Sequence, residues 1–527
     1  MAKRPPATKR RGERVATSGE AKKFSLLDEP LLGLELADRA RTRVSLPECL
    51  ALLGRDEVRC FTAMQAHQQH GWHAFLVQLA AIALHKGGAE EPRQRAERWR
   101  ELLLGLTRTV EPWCLVVEDL TRPAFMQPPV PERTLEGFKD AQRFPDELDV
   151  LVTAKNHDVK AARIGSPQPE HWIYALVTLQ TMEGFSGKAN YGIARMNGGH
   201  ASRPVIGLTT GSSLGVRFRR DVGLLLAART EIARSYEFRR AGGKSLLWCE
   251  QWDGEASLAL GELDPFFIDV CRRVRMAWAD ERLTAMRTGT STPRVAAQAL
   301  QGNTGDPWTP VNAKEGKAFT ATEAGFSYRT VQRLLTEYPP CRAMVPQPRE
   351  GDVQLLATVF ARGMGKTAGF HERTIPFPRV VTNRLRREDS RNELARLARE
   401  RVELVSLVQN RALRPALRTL VQGAPDKLDM DDDRADRWVR AHDAAIDAVF
   451  FERLWADVDG DPAATAAEWA RLVLDLAREQ LHAAMDDAPV PLARRYRAVA
   501  TAERVFEGAA RNHVSIAFPP REVNHGE

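Results

Sequence analysis

Cysteine is scarce and scattered: six residues in 527, at positions 49, 60, 114, 249, 271 and 341, with no CxxC pair among them. That spacing argues against a zinc ribbon and a secreted disulfide framework and leads to the expectation of a reduced, cytoplasmic protein. Long apolar runs are missing as well. No stretch of about 18 apolar residues occurs, and the chain opens on the charged MAKRPPATKRRGER, so neither a signal peptide nor a membrane span is expected. Net charge is nearly absent outside the first residues. Of the formal +7, residues 1–23 supply +6 through eight Lys/Arg against two Glu. An anionic partner would therefore have to be held by local patches of the near-neutral remainder rather than by a chain-wide field. The tail, rich in Pro, Ser, Thr and Arg, reads as a disordered basic arm.

What is present suffices for more than one core. The chain exceeds the roughly 250–300 residues at which a single core stops growing, and 43% of it is apolar. Residues 24–378 mix strand-like and short helical runs. A helix is expected from Val58 to His85 and another from Pro92 to Leu106, the runs FSLLDEPLLGLEL and TRVSLPECLALLG read as strands and turns, and the Pro-rich stretch 122–132 reads as a loop. Near Pro378 the character changes. From Asn383 to His513 apolar residues recur three and four apart in four segments joined by GAPDKLDMDDD, DGDPA and DDAPVP, the pattern of an up-down four-helix bundle with a bend at Arg414-Pro415. The expected class is α+β: a large irregular mixed domain (24–378) followed by the bundle (379–527).

The densest chemistry lies between Leu151 and Leu208. Glycines at 184, 187, 192, 198 and 199 remove side chains that would keep a backbone from a ligand, and Lys188, Arg195 and Arg203 add positive charge. Gly184, Phe185, Ser186, Gly187, Lys188 and Asn190 form a turn fit to lie against a DNA minor groove, whose degenerate pattern suits backbone contacts. Lys155, Asn156, His157, Lys160 and Arg163 open a basic loop closing at Pro167 and Pro169, read either as solvated surface or as an RNA or protein docking loop. Arg217, Arg219, Arg220, Arg272, Arg273 and Arg275 offer further backbone contacts. No carboxylate pair, metal cluster or nucleophile with an evident base accompanies them.

Three motifs imitate other chemistry. Gly365-Lys366-Thr367 ends like a phosphate-binding P-loop, but the glycine required five residues earlier is Phe360. It leaves an ATP-dependent enzyme as an alternative to a glycine-flexed hairpin presenting Arg362, Lys366, Thr367 and His371. Gly184-Phe185-Ser186-Gly187-Lys188 starts like a nucleophile elbow and carries lysine where the closing glycine belongs. His67, His70 and His73 share one face of the expected helix but lack a fourth ligand, and the neighbouring Trp72, Phe75 and Leu76 suggest packing instead. No metal and no cofactor are expected.

Taken in order, AFMQ at 124–127, the loop from Lys155 to Pro169, GFSGK at 184–188, GDPWTPV at 305–311 and the terminal bundle resemble the CasA family, the large subunit of the type I-E CRISPR Cascade complex. The resemblance implies a non-catalytic subunit that reads the protospacer-adjacent motif (PAM) in double-stranded DNA while a guide RNA reads the rest. It implies that residues 184–188 and Asn190 enter the PAM minor groove, and that Arg362, Gly365, Lys366 and Thr367 wedge beneath it and start strand separation. The 155–163 loop would meet the guide RNA and neighbouring Cascade subunits, and the bundle would face the small subunits and help recruit the helicase-nuclease. Arg195, Arg203, Lys244 and Arg272 are the candidate backbone contacts, Lys244 and Arg272 also for the basic group that reaches the PAM. A freestanding nucleic-acid-binding scaffold is the remaining alternative.

Overall fold

The computed structural model describes residues 23–139, 141–149, 167–196, 198–363 and 366–518. The basic arm up to residue 22, the loop with Lys155, Asn156, His157, Lys160 and Arg163, and Gly365 lie outside the described residues.

The chain starts with a three-stranded antiparallel sheet, β1 (Leu32–Leu36), β2 (Arg41–Val44) and β3 (Val58–Phe61), in the order β2-β1-β3. Between β2 and β3 the run LPECLALLG is helical, not extended. Ser45 and Glu48 form a reciprocal capping box that starts α1 (Leu46–Arg55), a local signal that outweighs the apolar run's strand-like look. The helix expected from Val58 is also shorter than its pattern. Cys60 pairs with Glu35 in the sheet, and α2 begins only at Gln69, running to Lys86. Buried residues occur all around α2, which explains why it shows no amphipathic face: it is central. Helices α3 (Ala96–Thr107), α4 (Pro169–Met182) and α5 (Leu214–Ser235) share with α2 a core rich in tryptophan, with Trp72, Trp99, Trp113, Trp172 and Trp248 buried.

A second core is built on β4 (Val205–Thr209) and two long later strands. β5 (Lys244–Leu246) pairs parallel with β6 (Leu263–Ile268), and β7 (Arg273–Ala279) pairs antiparallel with β8 (Arg282–Thr288). Helix α6 (Tyr328–Thr336) follows. Then β9 (Val353–Gly363) and β10 (Lys366–Phe377) form one hairpin, with β9 also pairing with β4. At the hairpin base, Ile375 and Phe377 join the core formed with α7 (Arg379–Leu385), α8 (Glu388–Val408), α9 (Arg414–Val421), α10 (Asp436–Ala456), α11 (Pro462–Asp487) and α12 (Leu492–His513). Between α8 and α9 a π-helical turn spans Gln409–Leu413. It absorbs the helical hydrogen bond that Pro415 cannot donate, at the place the sequence predicts a bend. The long helices α8–α9, α10, α11 and α12 form the four-helix bundle, and their short connectors make successive helices antiparallel.

Two of the motifs singled out from the sequence are structural devices. Gln127 is fully buried: its amide donates to Leu115 O and Phe125 O and accepts from Met276 N. Asp306, in GDPWTPV, accepts two hydrogen bonds from Arg203.

The histidines near α2 each have a packing role rather than a shared ligand. His67 bonds Asp149 at 2.9 Å, His73 bonds Asp221 at 2.9 Å, and His70 is buried against Phe370. Burial, aided by the positive groups around it, pushes His70 down to about 3; burial and Arg217 push His73 down to about 4, against the pull of Asp221. The ordinary value is 6.5. Above it both states are neutral and nothing is lost; as pH falls from 6.5 toward 4 the unfolded chain takes up protons that the folded histidines refuse. Stability should therefore fall over that window by roughly 3 kcal/mol per histidine at pH 4. Chemical unfolding midpoints from pH 7 to 4 check this, and His70→Leu should flatten the slope; an unchanged slope would count against it.

Candidate nucleic-acid interface

Helix α4 carries the chain through the core to Glu183, and the glycine loop then leaves and returns, closed by Arg203 N donating to Met182 O at 2.9 Å. Within the loop, Phe185 N donates to Gly199 O, Ser186 N to Asn190 O, Asn190 N to Gly187 O and Ile193 N to Glu183 O. Its glycines serve different needs. A Cβ on Gly184 would sit 2.1 Å from Ala201 O and one on Gly192 2.5 Å from Gly184 C, so these two let strands of the loop touch each other. Gly187 has φ +117° with open space around its missing side chain. It is the tip. Ser186 and Lys188 flank it and are exposed, while Phe185 is half-buried against Tyr191 and His200.

The tip lies at a cleft of about 350 Å³ whose charged lining, among the described residues, is Lys139, Lys188, Arg272, Arg287 and Arg362 with the carboxylate of Glu183. Glu183 is buried. One of its oxygens takes Arg362 at 2.7 Å and the other Arg272 at 2.9 Å. Arg272 also donates to Ser186 Oγ at 3.3 Å and to Tyr191 O. Arg287, on β8, is half-buried. Burial pushes its guanidinium below the ordinary value while Glu183 pulls it up, and among the described residues its side chain makes no hydrogen bond. Lys139 N donates to Arg287 O at 2.9 Å, which places both beside the loop. The arrangement can hold an anion at its mouth with Lys139, Lys188 and Arg287. Among the described residues no group of three or more His, Cys, Asp or Glu is placed to hold a metal ion, and no helix is long and apolar enough to cross a membrane.

Several residues singled out from the sequence are elsewhere or otherwise engaged. Arg203 is 1% exposed and bound to Asp306 at 2.6 and 2.9 Å, so it is no backbone contact. Arg195, also 1% exposed, lies 4.3 Å over the Phe267 ring and donates to Phe267 O; burial pushes it down to about 10. Lys244 pairs with Glu262 at 2.8 Å on β5 and lines no part of the cleft. Arg272 lines the cleft but is held by Glu183 and the loop. Arg362 faces Glu183, not the hairpin's outer side. Arg217 is half-buried, Arg219 donates to Gly54 O, Arg220 pairs with Glu350, Arg273 with Glu132, and Arg275 serves backbone carbonyls of the 117–122 stretch. Conversely, sequence reasoning missed Lys139, Arg287 and Glu183. The signal for Arg287 was faint: one cation in a short strand, 99 positions from Lys188 along the chain.

The P-loop imitation also resolves. Lys366-Thr367 opens strand β10, with Lys366 opposite Gly363 and Thr367 opposite Arg362. A phosphate-binding loop needs a helix there, whose N-terminal amides would face the phosphate. The segment is a hairpin, and the tip region comes near the glycine loop through Arg362.

No protein-family model matches the chain, and a comparison with curated proteins finds no match. Solved structures are. The fold is that of CRISPR-associated proteins: it is similar to Cse1 from Acidimicrobium ferrooxidans at TM-score 0.64 and 15% identity, covering 95% of this chain and 100% of that one. Thermus thermophilus CasA (Cse1) gives 0.62 and 15% over 93% and 100%, and Thermobifida fusca Cse1 gives 0.65 and 14% over 94% and 99%. A chain of a CRISPR RNA-guided surveillance complex gives 0.60 and 16% over 93% and 99%. More narrowly, then, the chain carries the Cse1/CasA fold along nearly its whole length.

Proposed function

We propose that this chain is the non-catalytic large subunit of a type I-E CRISPR RNA-guided complex, in which it recognises the PAM in double-stranded DNA and helps start strand separation. The observation that carries the reading is the Ser186-Gly187-Lys188 tip with its exposed Ser186 and Lys188, set at the mouth of a cleft where Lys139, Lys188 and Arg287 lie together, in a chain that has the Cse1/CasA fold. Lys139, Lys188 and Arg287 meet phosphates, the tip backbone approaches the groove edge, and the β9–β10 hairpin stands beside the duplex as the wedge, a role shared by Lys366 and Thr367 and by Gly365, which lies outside the described residues. Specificity for the target is left to guide pairing. The loop with Lys155, Asn156, His157, Lys160 and Arg163 serves the guide RNA and adjoining Cascade subunits, and the bundle supports helicase-nuclease recruitment and the small subunits.

Co-expression with guide RNA and companion subunits tests this: the chain should co-purify with them, and the assembled complex should capture duplex DNA only beside a preferred short flank. Capture by the chain alone, without flank bias, would favour a freestanding scaffold instead. Within the assembled complex, Lys188→Gln and Arg287→Gln should each weaken capture about 3–10-fold across sequences and reduce the salt slope by about 1. Lys244→Gln should leave both unchanged. Binding titrations between 50 and 200 mM salt, about the range over which phosphate contacts reveal themselves, decide it.

A further inference from the structure

Glu183 stands at the meeting point of three segments distant in sequence. It is the residue at which α4 becomes the glycine loop, and its backbone bridges Ser202 on the returning side. Its two oxygens divide between Arg362 of β9 and Arg272, which precedes β7. Side-chain exposure is 8% for Glu183, 5% for Arg362 and 3% for Arg272, so the three charges are held away from water, where a carboxylate between two guanidiniums is strongly directional. Arg362 is opposite Thr367, one rung below the Gly363–Lys366 pair that ends the hairpin. Arg272 in turn donates to Ser186 Oγ and Tyr191 O inside the glycine loop. One carboxylate thus fixes the loop tip and the last rungs of the hairpin relative to each other.

We propose that Glu183 is a positioning residue that locks the glycine loop and the hairpin end into a single body, so that a duplex docked on the loop is presented to the hairpin at a fixed offset. The inference rests on the nucleic-acid reading above and deepens it by naming what couples docking to opening. Neutralising Glu183 leaves two guanidiniums facing each other without their counter-charge. The hairpin end then separates from the loop, while Lys139, Lys188 and Arg287 still attract the duplex and lose a nearby negative charge that opposed them.

The test uses the assembled complex with guide RNA and separates capture from opening. Glu183→Gln, nearly isosteric, should keep flank-dependent duplex capture within about threefold, while the rate at which thymines next to the flank become permanganate-reactive falls about tenfold or more, the size of effect a small misplacement of a working group produces. Arg362→Gln should do the same from the hairpin side, and it serves where Glu183→Gln lowers the yield of folded protein. The double variant should open no more slowly than either single one, because both remove one contact. Opening at the wild-type rate in Glu183→Gln and Arg362→Gln, losses that add in the double variant, or capture and opening falling together would each overturn the coupling. A wild-type complex that captures no duplex would overturn the functional reading, and with it this inference.

Discussion

Arg203→Ala should cost about 3–5 kcal/mol of folding stability, the loss expected when one partner of a buried ion pair is removed, and it should do so in the isolated chain with no nucleic acid present. Arg203 is 1% exposed, gives Asp306 two hydrogen bonds, and lies over the Trp308 ring. Burial alone would raise the Asp306 carboxyl, but Arg203 and Arg195 beside it hold it below the usual range. Without Arg203 the carboxylate would remain buried with its main counter-charge gone. Asp306→Ala should be as costly for the mirrored reason, whereas Lys188→Ala, exposed at the loop tip, should change stability by less than about 0.5 kcal/mol. Chemical unfolding of the three variants measures this. A stable Arg203→Ala chain with weakened DNA capture would restore the role its charge first suggests.

The glycines of the loop should separate into two kinds. Gly184→Ala places a methyl 2.1 Å from Ala201 O and 2.7 Å from Gly199 O, both backbone atoms that cannot swing aside. The loop must open, so both stability and target capture should fall, stability by about 1–3 kcal/mol as in other overpacked sites. Gly187→Ala adds its methyl to open space at φ +117°, where the cost is backbone strain of about 1–2 kcal/mol. Its larger effect should be on capture, about 30-fold or more, because on the proposed reading the new group stands where the groove edge would come in. Gly198→Ala is the control: φ +82° and open space again, but away from the basic cleft. If Gly198→Ala impairs capture as much as Gly187→Ala, strain rather than approach explains both and the loop tip is no contact surface.

Much of the architecture could be read in advance because its causes are local. Apolar residues three and four apart from Asn383 onward announce the bundle, and Arg414-Pro415 marks the place where the structure has its π-helical turn. The glycine-rich stretch 184–199 was recognisable as an irregular, side-chain-poor loop. The errors follow from the same locality. Val58–Phe61 continues an apolar run that reads as helix, yet it is a strand because Leu34 and Glu35 lie beside it to accept pairing. LPECLALLG reads as strand, yet the Ser45–Glu48 cap turns it into helix. The basic cleft was half-legible: Lys188 and the loop tip could be singled out from the sequence, while Arg287 and Lys139 join them only because β8 and the segment that includes Lys139 fold back against the loop.

What the sequence determined by itself is therefore the inventory: a bundle at the end, a glycine-rich loop in the middle, and cations scattered through a near-neutral chain. What only the tertiary structure decided is which cations are free to act. Arg203 and Lys188 look alike along the chain, fifteen residues apart. One is neutralised by an aspartate 103 positions away and the other faces solvent. A charge's availability depends on the burial and counter-charges that distant segments bring to it, and those are fixed by packing, not by the residues on either side.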